Sequence, residues 1–417
     1  MLPVWVPPRW YMAGYCNQRR VGRRRLNGTP DAAPKQVMKA FVGIVLTVSL
    51  FAGCSRSATI PNADAVLARA VLAPAAIQAS SVPESAVAVP TLAQLIGQKL
   101  VVRMDGVTPS ADLLGRIRRG EVGGIILFGP NVTTPTALVA LTGQLRAAAV
   151  AGGQPRLLIA VDQEGGPIKR IPWAPPTLSA PQMGRIGSAS IARAQGASTA
   201  AALRGLGIDV DLAPVADVPA STASFMYRAG RTFSFSATRT ALMENAFAAG
   251  LESQRVAPAM KHFPGIGFAT RNTDAYVVTI TASRAALAPG LLPYRTAIAH
   301  HIPIVMLSNA TYTAYDPRNA AGWSHAIAIT LLRRDLGFTG VTITDSLDGT
   351  AKARGLWPRV LAVSAARAGT DMILTTGSEA STRSVYKTLL RQAQLGSIPR
   401  ATLQASYDRI LALKAGL

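Results

Sequence analysis

The feature that most constrains this chain is an alternation: eight short apolar runs, each followed by a segment with helical spacing. The runs cover 99–104, 124–128, 157–161, 210–214, 257–261, 304–307, 341–344 and 372–374. Helical candidates lie between and after them, at 136–149, 191–206, 237–254, 291–300, 327–335, 361–368 and 381–394. Strands that are apolar on both faces and alternate with helices belong to a parallel sheet covered on both sides, and eight such units close on themselves. The predicted fold class is α/β, a single (β/α)8 barrel over 92–417. No stretch repeats another, so a solenoid is not expected.

The polar residues fall where a barrel needs them. Asp162 and Glu164 follow the third run, Asp217 the fourth, Ser308 and Asn309 the sixth, Asp345 the seventh, and Thr375 and Thr376 the eighth, while Lys261 and His262 end the fifth. All of these positions belong to the C-terminal rim, where barrel enzymes assemble their chemistry from several strands. Any one of them alone could be a strand-end polar group satisfied by a loop; the set together points to a site.

The first 91 residues read differently. Residues 1–54 hold eight Lys or Arg and one Asp, then an apolar run of thirteen residues from Ala40 to Ala52 that ends at Gly53-Cys54. Thirteen residues are short for a bilayer span and suit a signal-peptide core. Small residues directly before Cys54 resemble a bacterial lipobox, which predicts a lipidated Cys54 and an exported, membrane-anchored protein; a non-lipidated secretory signal or a buried helix would also fit the run. Met38 is a second possible start. Residues 55–91, rich in Ala, Pro, Ser and Val without periodicity, read as a flexible tether.

Composition narrows the function classes. The formal net charge is +22, from 43 Lys and Arg against 21 Asp and Glu. Such a charge suits an anionic cell-envelope setting or nucleic acid. The envelope is favoured, because Arg is scattered and aromatics make up 6% of residues, without the clustered stripe that nucleic-acid binding calls for. With only Cys16 and Cys54, no disulfide or Cys metal site is expected after processing. No metal-ligand spacing or nucleotide-binding glycine loop is visible, so neither metal nor organic cofactor is predicted.

Three segments carry a family resemblance: Val161-Asp162-Gln163-Glu164-Gly165-Gly166 with Arg170 beyond it, Lys261-His262-Phe263-Pro264-Gly265, and the stretch from Gly337-Phe338-Thr339-Gly340 to Asp345-Ser346-Leu347. With weaker matches at 123–128, 211–217 and 231–234, kept in order and spacing, the chain resembles glycoside hydrolase family 3, in particular its single-barrel bacterial β-N-acetylglucosaminidases. The resemblance implies a retaining β-glycosidase of N-acetylglucosamine-type sugars, cell-wall glycan among them, with Asp345 as nucleophile. A carboxylate there is what attack on an oxocarbenium-like anomeric carbon needs; a helix N-cap after the seventh strand is the structural alternative. Asp162, Arg170, Arg231, Lys261 and His262 match residues that surround the sugar hydroxyls, forming a polar cage that fixes orientation.

The sequence departs from the pattern where the proton is handled. The hexosaminidase subgroup has an Asp-Ser-His triplet whose His is the acid/base; counted without a gap from Lys261, this chain has Asn272-Thr273-Asp274 there. Pro167 also stands where the family often has Arg. Asp274 is another ionisable group at the catalytic His position, and burial or the Asp345 charge could raise its pKa enough for the task. The alternative is a loop Asp satisfied by its own backbone, in which case the protein is a weak or inactive sugar-binding lipoprotein that keeps the pocket. Of the other histidines, His300 and His301 close a helix before the sixth strand and His325 opens the next helix.

Overall fold

The computed structural model describes residues 89–417; the predicted signal and lipobox segment with Cys54, and most of the predicted tether, lie outside the described residues. Eight parallel strands make the sheet: β1 (Leu100–Arg103), β2 (Gly124–Leu127), β3 (Leu158–Val161), β4 (Val210–Asp211), β5 (Ala257–Phe263), β6 (Ile304–Leu307), β7 (Val341–Thr344) and β8 (Ile373–Thr375). They pair in sequence order, and β8 pairs with β1 through Leu100 opposite Ile373. The remaining gap closes between β7 and β8, where Met372 bridges Ile343, donates its N–H to Thr342 at 2.8 Å and accepts from Thr344 N–H at 3.0 Å. The predicted barrel is the observed one.

The apolar runs have this form because a barrel strand is buried on both faces. Along β1 the inward residue is Val101, and along β2, β3, β6 and β7 inward positions fall to Ile126, Leu158, Ala160, Ile304, Met306, Val341 and Ile343; these pack together in the barrel interior. Their neighbours Leu100, Val102, Ile125, Leu127, Ile159 and Val161 turn outward into the layer under the helices. Val305 and Leu307 do the same on the other side, beneath Tyr294 and Leu332. At the N-terminal end the interior meets Ile410 and Leu413 from the last helix, Arg400–Ala415, and Leu417 just beyond it. That helix is pinned by Lys414, whose buried ammonium donates to the carbonyl of Gly123 at 2.9 Å and to Gln98.

Strand boundaries differ from the sequence reading in ways the backbone explains. The fourth strand ends at Asp211, three residues earlier than the apolar run, because Pro214 has no N–H to continue a regular ladder. The carbonyls of Ala213 and Pro214 still accept from Ala259 and Lys261, so the irregular stretch remains attached to β5. Strand β5 runs to Phe263, which puts Lys261 and His262 inside the strand. A helix at Ala111–Arg118, capped by the Ser110 hydroxyl, supplies the crossover between β1 and β2 that the sequence reading left unmarked. The helix expected near 327–335 is present as Ala326–Asp335, with wide π-type turns.

Candidate active site

The site grows from the loop after β3. Gly165 and Gly166 have φ of +88° and +59° and fold residues 163–169 into a tight antiparallel pair. A β-carbon on Gly165 would lie 2.8 Å from the Leu178 carbonyl oxygen, so only glycine permits this turn. The turn holds Asp162 and Glu164 beside Lys261 of β5. Lys261, 2% exposed, donates to Asp162 Oδ1 at 2.8 Å and lies 2.7 Å from Glu164 Oε1. Arg231 closes the cluster with two hydrogen bonds to Glu164, at 2.6 Å and 2.9 Å, and Arg170 sits 3.6 Å from Asp162.

Two carboxylates and two to three cations share this small volume, and their attraction decides their charge state. Burial opposes the charge on Asp162, but Lys261 and Arg170 outweigh it and hold the carboxyl at about 2. Burial likewise opposes charge on Glu164, where Arg231 and Lys261 prevail and keep it below the usual range. Lys261 is raised in turn, against burial, by Asp162 and Glu164. Asp162, Glu164 and Lys261 therefore stay ionised at neutral pH and present fixed charges to whatever enters.

Behind this cluster Asp217, fully buried, accepts from His262 Nδ1 at 2.7 Å and from the Ile266 N–H at 2.7 Å. A carboxylate partner places the hydrogen on Nδ1 and leaves Nε2 as the acceptor. Three neighbouring loops then meet. Asp345 directly follows β7, where its N–H donates to Leu307 and its Oδ1 accepts from Ser346 N–H at 2.7 Å. Asn309, beyond β6, donates through Nδ2 to the Ser346 carbonyl at 2.8 Å and to Asp274 Oδ1 at 3.4 Å. Asp274 itself comes from the loop after β5, where the Asn272 side chain accepts its N–H at 2.9 Å. Burial first, and the Asp345 charge second, push the Asp274 carboxyl up to about 7, against the pull of His262 and Arg231.

The rim thus brings a carboxyl that is part-protonated near neutrality next to a second carboxylate and a ring of fixed charges, the combination that cleaves acetals. The chain matches the model of the glycosyl hydrolase family 3 N-terminal domain over residues 91–413. The chain belongs to glycosyl hydrolase family 3. Within it the chain is β-N-acetylhexosaminidase-like: a β-N-acetylglucosaminidase structure from Paenibacillus superposes with a TM-score of 0.75 at 30% identity, covering 79% of this chain and 63% of that one. A β-N-acetylhexosaminidase structure from Beutenbergia cavernae superposes with a TM-score of 0.73 at 31% identity, covering 79% of this chain and 99% of that one. A curated relative from Arthroderma benhamiae, described as an uncharacterized secreted glycosyl hydrolase, is 32% identical over 82% of this chain and 98% of its own length.

Of the residues singled out from the sequence within 89–417, Asp162, Arg170, Arg231 and Lys261 lie in the charged cluster, His262 on Asp217, and Asp274 within the field of Asp345. Arg231 gives Nε and Nη2 to Glu164 and Nη1 to Met226 Sδ at 3.6 Å, partners that the sequence did not specify. Glu164, Asp217 and Asn309 were visible as rim residues but were not singled out, and each proves to hold a site residue in place. The carboxyl of Asp274 is bound by Asn309, not by its own backbone. Among the described residues no group of His, Cys, Asp and Glu is arranged to hold a metal ion, and no helix is long and apolar enough to cross a membrane.

Proposed function

We propose that this family 3 barrel removes terminal N-acetylhexosamine units from glycans with retention of configuration, with Asp345 as nucleophile and Asp274 as acid/base. The observation that carries the reading is Asp274: a carboxyl raised to about 7 beside Asp345 is half-protonated at neutral pH and so suited to giving and taking a proton. In the first step an Asp345 oxygen attacks the anomeric carbon while the Asp274 proton goes to the leaving oxygen, so the glycosidic bond breaks as the ester to Asp345 forms. In the second step the Asp274 carboxylate takes a proton from water, whose oxygen displaces Asp345. Asp162, Lys261, Arg170, Arg231 and His262 orient the sugar ring and keep its developing charge in a fixed field.

Export and lipid anchoring at Cys54 belong to the same proposal, supported by the apolar run that ends in Ala52-Gly53-Cys54. Envelope glycan is the substrate source that this placement favours, and the net charge of +22 suits an anionic surface. The test is hydrolysis of an activated aryl N-acetyl-β-glucosaminide by the wild type and by Asp345→Ala, with N-acetylglucosamine binding measured on both. Turnover that Asp345→Ala abolishes while binding persists is the expected result. Binding without turnover in the wild type would replace the enzyme with a sugar-binding protein.

A further inference from the structure

We propose that Asn309 is the positioning residue of the Asp274 acid, its amide nitrogen tying that carboxyl to the backbone next to Asp345. The inference rests on the reading of Asp274 as proton donor. Asn309 stands two residues past the end of β6 and is 1% exposed. One hydrogen of its Nδ2 goes to the Ser346 carbonyl at 2.8 Å, and the other points to Asp274 Oδ1 at 3.4 Å. The two hydrogens of an amide lie in one plane, so the short bond to Ser346 fixes the direction in which the second is offered.

Ser346 in turn donates its own N–H to Asp345 Oδ1 at 2.7 Å. A single chain of contacts therefore runs from the acid, through Asn309 and the Ser346 main chain, to the nucleophile, crossing the loops after β5, β6 and β7. The opposite end of the amide supports this assignment. Asn309 Oδ1 is buried and has no hydrogen-bond partner. Burying an unpartnered carbonyl is unfavourable, and an apolar side chain of this size would avoid it. What the amide adds at this position is therefore its nitrogen.

The contact also bears on when the proton leaves. Asp345, His262 and Arg231 are the titratable and charged groups that act on Asp274, the first raising its proton affinity and the other two lowering it. A donor at Oδ1 favours the ionised form, so Asn309 works with His262 and Arg231 against burial and Asp345. Without it, Asp274 would hold its proton to higher pH and sit less well directed.

The test uses Asn309→Leu, which removes the donor, and Asn309→Asp, which keeps the size and adds a carboxylate. Since the acid works protonated, the rate falls as pH rises through its pKa. The alkaline limb of kcat is therefore expected to move up by about half a pH unit or more in Asn309→Leu and further in Asn309→Asp. In Asn309→Leu the loss of kcat on a disaccharide should exceed the loss on an activated aryl glycoside by roughly tenfold. Circular dichroism on both variants identifies a folding defect, and Asn309→Asp, being isosteric, carries the pH test if the leucine variant misfolds. An unmoved limb in folded Asn309→Asp, with the limb abolished in Asp274→Asn, overturns the role of Asn309 and leaves the Asp274 reading standing. A limb that survives in Asp274→Asn overturns both.

Discussion

Gly349, on the helix that follows Asp345, faces the main chain of Asp274 so closely that a β-carbon there would lie 2.2 Å from the Asp274 carbonyl oxygen. The obstructing atom is backbone, so no side-chain rotation could relieve the clash. Gly349→Ala must displace the loop that carries Asp274. A stability loss of about 1–3 kcal/mol is expected from overpacking. Its larger effect should be on turnover of substrates with poor leaving groups, roughly tenfold or more below wild type, because a small displacement of an acid removes most of its benefit. Thermal melts with paired aryl-glycoside and disaccharide kinetics check this; equal losses on both substrates would show that the loop's position is irrelevant to proton transfer.

Asp274→Asn should act on leaving groups selectively. Asp345 attacks in either case, while only a poor leaving group demands strong protonation of the bridging oxygen. The expected differential between a disaccharide and an activated aryl glycoside is about tenfold or more. Because the carboxyl sits at about 7, the wild-type rate should decline above neutrality, and that limb should vanish in the variant. A pH–rate profile on both substrates reads the result.

The charged cluster makes a prediction about acid stability. Asp162 is held at about 2, below its ordinary 3.8, so its stabilisation is complete above pH 4 and is lost as pH falls from about 4 toward 2. The contribution is about 2 kcal/mol. Replacing Lys261 by Met removes the ammonium shared by two buried carboxylates, and should cost about 3–5 kcal/mol near neutral pH. It should also move the midpoint of acid unfolding of the remaining native protein. Chemical denaturation between pH 3 and pH 7 measures both, and an unchanged wild-type slope below pH 4 would count against the assigned ionisation.

Asp211 has the opposite sign. It is fully buried at the end of β4, its Oδ2 lacks a partner, and burial raises it to about 8 despite the Gln163 N–H bond at 2.9 Å. A carboxyl that keeps its proton in the native state favours folding at low pH, and that advantage is lost as pH rises from about 4 to about 8. Asp211→Asn, neutral at every pH, should be close to wild type near pH 4 and more stable than wild type by several kcal/mol at pH 9. Melting temperatures across that range give the comparison directly.

The barrel was legible because its strands have no solvent face. β6 and β7 coincide with their apolar runs residue for residue, since nothing but burial sets their ends. The β4 run misled because apolar character persists through Pro214 after the ladder has become irregular. At the site, spacing and motif located the ionisable residues but not their partners. Glu164 stood inside the recognised motif, yet that it takes both Arg231 and Lys261 depends on the loops after β3 and β4 meeting β5, which no local pattern encodes. Asn309 carries no charge and no motif, and its importance arises only from where the Asp274 loop comes to rest.

The last helix closes the N-terminal mouth of the barrel with Ile410 and Leu413, while Lys414 is fastened to the Gly123 carbonyl almost three hundred positions earlier. During synthesis, then, all eight strands emerge before the stopper that keeps water from their lining. Until that helix arrives the nascent barrel is an open apolar cup. Chains stalled or cleaved before residue 400 should therefore engage holdase chaperones or aggregate, even though every rim residue needed for chemistry has already been made.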